Sequence, residues 1–187
     1  MNLFKSFLCF LAWMPLITYA QKSTDAVASF TISTPIKEVR GENKHAFIEL
    51  DFKTGAVRSR MQVDSFQFPE SFSSDKMNTV IRDRFREYYM ESKLYPVMSF
   101  EGKITNPDKN MYKAEGAYPL DISGYLTLHG IKQYVTVQAT LTVKGSKKSI
   151  VSAFVVEPDS YKIKLPNHNA QLSQYANKVN IQIAADL

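Results

Sequence analysis

Apolar and polar residues alternate one for one along most of this chain, and that period of two belongs to strands with one face on a core and one in water. In the run Val57 to Asp64, Val57, Met61 and Val63 share one face, while Arg58, Arg60, Gln62 and Asp64 share the other. Ala46, Ile48, Leu50 and Phe52 alternate in the same way, and Thr54-Gly55 supplies a short turn between the two segments, so they read as a hairpin. Further on, Met98, Phe100, Gly102 and Ile104 line up. They are followed by Leu120, Ile122, Gly124, Leu126 and Leu128, and then, past a turn at His129 to Lys132, by Val135, Val137, Ala139, Leu141 and Val143. A turn at Lys144 to Lys148 leads to a strand near Ile150 to Val156, and Val179, Ile181 and Ile183 alternate in a last one. With an opening strand around Val27 to Ile32, the pattern predicts eight strands.

One segment departs from this period. Between Asn78 and Glu91, Ile81, Phe85, Tyr88 and Tyr89 recur every three to four residues without glycine or proline, which predicts a short helix with Ser74 or Asp75 as its cap. Pro96 ends it. The stretch Pro166 to Gln174, rich in Asn and Gln, reads as a loop.

Eight antiparallel strands must cover their apolar faces either as two packed sheets or by closing into a barrel, and alternation does not choose between them. A barrel of about eight strands has an interior that side chains can fill or that can hold one small ligand. Gly102, Gly124, Ala139 and Ala153 fall on the inward face, where small residues leave room. Strand glycines also mark bends and bulges, so a hollow interior and a bent strand stand level at this point.

The N-terminus has a different character. Lys5 precedes an apolar run from Phe7 to Ile17, and Thr18-Tyr19-Ala20 follows, the layout of a signal peptide cleaved after Ala20. The apolar run is interrupted by Pro15 and is too short for a membrane span, which needs about 20 apolar residues. Cys9 lies inside the run after Leu8, not at a lipidation point. Cleavage removes Cys9 and Trp13, the sole cysteine and tryptophan, and leaves residues 21 to 187 as one domain without disulfides. A chain of that size can bury about 70% of its extended surface, enough for a core of its own. The expected location is the periplasm or the medium. Loss of Lys5 lowers the formal charge from +5 to +4. Cations in pairs such as Arg58/Arg60, Arg82/Arg84/Arg86 and Lys147/Lys148, with acids among them, read as a solvated surface, weak attraction to anionic headgroups being the alternative. The export signal and the lack of a basic-aromatic recognition motif point away from nucleic acid.

Catalytic equipment is missing from the pattern. His45, His129 and His168 have no partner at metal-ligand spacing. His129, beside Gly130, reads as a turn residue exposed to water, with a headgroup contact at a barrel mouth as the functional alternative. No Gly-x-Ser-x-Gly elbow, phosphate-cradling glycine loop or surviving cysteine nucleophile is found, and Glu49 and Asp51 read as solubilising carboxylates. The expectation is a protein that is not an enzyme and carries no metal or cofactor.

Several of these residues resemble the YceI-like family of exported lipid- and polyisoprenoid-binding proteins. The resemblance rests on Asp51-Phe52-Lys53-Thr54-Gly55, on Ser65-Phe66, and on the ordered run from Phe85 through Tyr88-Tyr89-Met90-Glu91-Ser92 and Tyr95-Pro96 to Phe100 and Gly102. It continues in Gly124-x-Leu126-Thr127-Leu128-His129-Gly130 and Tyr161-x-Ile163-Lys164-Leu165-Pro166. Two departures are Ser160-Tyr161-Lys162, where similar sequences often have Asp-Tyr-Gly, and Tyr134, where a proline commonly follows the His-Gly turn. The resemblance implies an all-β, eight-stranded, antiparallel, lipocalin-like barrel with one short helix near the opening and an elongated cavity for an isoprenoid or fatty chain.

The expected partner is therefore a lipid-like small molecule with a long apolar chain, sequestered or carried in the barrel. Phe52, Met61, Met98, Phe100, Leu126, Leu128 and Val137 are the expected lining, with Gly124 and Ala139 making space; Phe85, Tyr88, Tyr89 and Tyr95 are lid candidates. The alternative is an exported interaction protein with a filled barrel that binds a protein partner through loops or edges. Transient contact with a membrane surface, and a homodimer, stay open as further associations.

Overall fold

The computed structural model describes residues 20–33, 38–69, 75–107, 113–164 and 177–187. Residues 1–19 of the expected signal peptide, the cap candidate at position 74 and the loop expected at 166–174 lie outside them. Eight strands follow one another: β1 (Ala20–Ser33), β2 (Glu38–Asp51), β3 (Ala56–Gln62), β4 (Val97–Ile104), β5 (Gly116–Leu128), β6 (Ile131–Lys144), β7 (Lys147–Val156) and β8 (Val179–Asp186). Each pairs antiparallel with its sequence neighbours, and β1 pairs with β8, which closes the barrel. Closure decides between the two arrangements that alternation left open, because every strand edge finds a partner.

The turns form where the sequence supplies them. The Asp51 carboxylate accepts hydrogen bonds from the Thr54 hydroxyl (2.7 Å) and the Lys53 amide (2.8 Å), and Gly55 takes the left-handed conformation (φ 72°) that reverses the chain into β3. Those bonds, the Thr54 hydroxyl first, hold the Asp51 carboxyl below its ordinary pKa. Buried Asn43 stabilises the irregular part of the β1–β2 pairing. Its side-chain amide donates to the Gln62 carbonyl (3.1 Å), and its oxygen accepts from the His45 amide (2.9 Å).

Three expectations are corrected. The first strand runs from Ala20, not from about Val27, because Ala20 to Ser23 pair with Asp51 to Ile48 through the backbone. Ala153 points to solvent; Ser152 and Phe154 face inward in its place. The helix α1 spans Asp75–Arg84 and passes into a wider π turn, Phe85–Tyr89, in which the Met90 amide reaches the Phe85 carbonyl (2.9 Å).

After β7 a 3-10 turn, Pro158–Tyr161, ends on Lys162 in the left-handed region (φ 57°), the position at which the family resemblance leads to an expectation of glycine. A lysine there carries a steric cost that glycine does not. Lys162→Gly is therefore expected to stabilise the protein by about 0.5 to 1 kcal/mol, read as a rise of about 1 to 4 °C in melting temperature. A fall would mean that the Lys162 side chain holds the turn.

Inside the barrel two apolar clusters are stacked end to end. One contains Leu50, Leu120 and Leu141, at most 1% exposed, together with Ile104 and Val143. The other is aromatic: Phe30, Phe66, Phe68 and Phe85, with Met90, Met98 and Leu126.

Candidate functional site

Between these clusters lies an elongated cavity of about 450 Å³, within the few-hundred to thousand Å³ range usual for ligand sites. Along β7 its wall runs from Ile150 to Val156, about 20 Å at roughly 3.3 Å per residue. Leu50, Leu120 and Leu141 do not line it; they close the barrel below. The wall is almost wholly aliphatic and aromatic. Its polar residues are Ser29, Ser59, Ser99, Ser152, Tyr89 and Arg84, and Arg84 alone is charged.

The helix closes the upper end. Phe85 stacks on Phe30 (ring centroids 5.3 Å apart, 20° between planes) and meets Phe66 at 5.5 Å and Phe68 at 5.3 Å. Each such pair contributes about 0.5 to 1.5 kcal/mol beyond its buried area, so Phe85 is a main anchor of the helix on the barrel, beside Ile81, Tyr89 and Met90. Phe66 and Phe68 lie outside the eight strands. Gln67 between them bridges to Glu42 of β2 with amide–carbonyl distances of 2.7 and 2.8 Å, which turns both rings inward.

Most of the predicted lining lies on the wall: Met61, Met98, Phe100, Leu126, Leu128, Val137 and Ala139, with Phe85 and Tyr89 from the predicted lid. Burial pushes the Tyr89 phenol above its ordinary pKa, with nearby Arg84 opposing the shift. Four predicted residues lie elsewhere. Phe52 packs against the lower cluster, beneath the Lys148 ammonium (5.7 Å). Gly124 does not make space. A Cβ there would come within 2.3 Å of the Glu101 carbonyl oxygen and of the Gly102 Cα, so its role is the close approach of β4 and β5. Tyr88 is 74% exposed, because the wider π turn keeps Phe85 and Tyr89 on the inner face and rotates Tyr88 off it. Tyr95 stands edge-on to His129 (4.5 Å) and against Gly130, supporting the β5–β6 turn.

His129 is not a water-exposed turn residue. Its side chain is 10% exposed, with Nε2 2.6 Å from the Glu91 carboxylate and Nδ1 3.2 Å from the Tyr161 carbonyl. Glu91 and His129 both have left-handed backbones (φ 42° and 48°). The contact ties the chain leaving the lid to the β5–β6 turn and the 3-10 turn after β7. The remaining wall residues, among them Phe30, Ile32, Val39, Phe66, Phe68, Phe154 and Ile163, are not part of the lining expected from the sequence. For Phe66 and Phe68 a signal was present, an alternation around Gln67 too short to score as a strand.

The family profile described as the YceI-like domain matches residues 19–187. No curated protein matches the chain. Among solved structures, it is similar to a polyisoprenoid binding domain from Saccharophagus degradans implicated in plant cell wall breakdown. That match has a TM-score of 0.69 at 13% identity and covers 90% of this chain and 97% of that one. It is also similar to BcnA of Burkholderia cenocepacia (TM-score 0.65, 16% identity, 87% and 96% covered). A third is the YceI protein of Campylobacter jejuni (TM-score 0.56, 15% identity, 79% and 82% covered). At these identities the likeness carries the fold.

Proposed function

The chain belongs to the YceI-like domain family, and from that premise we propose that it is an exported, non-catalytic carrier that holds a long-chain amphiphile, an isoprenoid or acyl lipid, inside its barrel. The observation that carries this reading is the cavity of about 450 Å³, lined almost wholly by apolar side chains beneath an aromatic helix face. Burial is the mechanism. At about 0.8 kcal/mol per methylene, about a dozen buried carbons supply about 10 kcal/mol of gross driving force, from which the cost of immobilising the ligand is subtracted. The similar domain from Saccharophagus degradans is described as polyisoprenoid binding, which agrees in kind. Exposed Met77, Val80, Tyr88 and Leu94 on and after the lid helix suit brief contact with a membrane surface during loading. The signal-peptide layout before Ala20 supports export, and cleavage there removes one residue of β1.

The test is to purify the mature protein, extract it with organic solvent and analyse the extract by mass spectrometry. A prenyl or acyl lipid in near-stoichiometric amount is the expected result. If none co-purifies and neither a prenyl nor an acyl probe binds, the carrier reading fails and a filled-barrel interaction protein takes its place.

A further inference from the structure

We propose that the amphiphile carries an anionic head, a carboxylate or a phosphate, and that Arg84 at the cavity rim binds it; this rests on the carrier reading above. Arg84 is exposed to solvent and is at the same time part of the cavity wall, so the cavity reaches water at this side chain. Its neighbours on the lid are engaged: Arg82 pairs with Asp83 (3.3 Å), and Arg86 pairs with Asp64 (3.8 Å) and donates to the Asp64 carbonyl. Among the described residues no carboxylate pairs with Arg84. The Tyr89 phenol, five residues on along the π turn, is close enough to feel its charge and offers a second donor on the same wall.

The physical argument concerns the head, not the tail. As an apolar tail enters the barrel, its head is drawn to the rim and gives up part of its hydration. An anion offsets that loss through charge-assisted hydrogen bonds to a planar guanidinium fork. A neutral head gains much less. A bland role for Arg84 exists too, since a cation in the last turn of a helix complements the helix dipole. That role predicts no dependence of ligand choice on Arg84.

The experiment uses delipidated mature protein and two matched pairs of probes, hexadecanoate against hexadecanol and geranylgeranyl phosphate against geranylgeraniol, read by displacement of a fluorescent apolar dye. The wild type is expected to bind at least one anion about tenfold more tightly than its alcohol. Arg84→Gln should lower anion affinity about tenfold, to the level of the matching alcohol, and so abolish that preference. Arg84→Lys should restore part of it, and rising salt should weaken it. A preference confined to one pair assigns carboxylate or phosphate; a preference in both assigns charge alone. Alcohols that bind as well as anions, or an anion preference that survives Arg84→Gln, would overturn the headgroup site and leave the carrier standing. Failure of all four probes to bind would remove the carrier reading, and this one with it.

Discussion

Gly124→Ala is expected to destabilise the protein by about 3 kcal/mol or more and to lower its melting temperature by about 10 °C. At an ordinary extended position the same change restricts the unfolded chain and stabilises by about 0.4 to 1 kcal/mol, so here even the sign is at stake. The sign is set by what the new methyl would meet. Its contacts at 2.3 Å are a carbonyl oxygen and an α-carbon, backbone atoms of β4 that cannot swing aside as a side chain can. Gly124 lies directly opposite Gly102, where an added Cβ would meet the Ser123 carbonyl oxygen at 2.7 Å. The two strands touch through a pair of glycines, and Ala at 124 must push them apart along a ladder that also positions Phe100 and Leu126 on the cavity wall. Equilibrium unfolding in urea measures the effect. An unchanged or stabilised Gly124→Ala protein would mean that β4 and β5 stand too far apart for a Cβ at 124 to meet the Glu101 carbonyl.

The same glycine shows where sequence reading stops. Period-two alternation was enough to put Gly124 on the inward face and to number the strands correctly, because register and burial in a barrel both follow from that period. Whether an inward glycine leaves a hole or admits a neighbouring backbone depends on strand separation, which no single strand encodes. β7 fails for a different reason. Ile150, Phe154 and Val156 alternate with Val151, Ala153 and Val155, so both faces are apolar and the pattern has almost no amplitude; the inward placement of Ala153 was a choice between near equals. The N-terminal half of β1 gives no signal in the sequence because backbone pairing does not require apolar alternation, and Gln21 to Ser23 show none. In the lid, spacing identified Ile81, Phe85 and Tyr89 but could not foresee that an i to i+5 bond would replace i to i+4 after Arg84 and carry Tyr88 outward. The burial of His129 is invisible in local sequence because its partners, Glu91 and the Tyr161 carbonyl, come from segments far away in the chain.

A hollow barrel and a filled one predict different costs for removing the same three carbons at two leucines. Leu141 is fully buried in the lower cluster, away from the cavity, so Leu141→Ala leaves a new void in close-packed surroundings and is expected to cost about 3 to 5 kcal/mol. Leu126 is almost as buried, at 8% exposed, but one side of it already faces empty space. Its methyl groups have fewer neighbours to lose, and in delipidated protein Leu126→Ala should cost only about 1 to 2 kcal/mol. The gap of about 2 kcal/mol corresponds to about 4 to 8 °C in melting temperature. Equal costs would mean that side chains fill the barrel, which would sink the carrier reading independently of any binding assay. Ligand adds a second contrast. A lipid that binds only the folded protein stabilises it in proportion to the logarithm of its concentration over Kd. It also surrounds Leu126 with partner atoms, so saturation should enlarge the cost of Leu126→Ala and leave that of Leu141→Ala where it was.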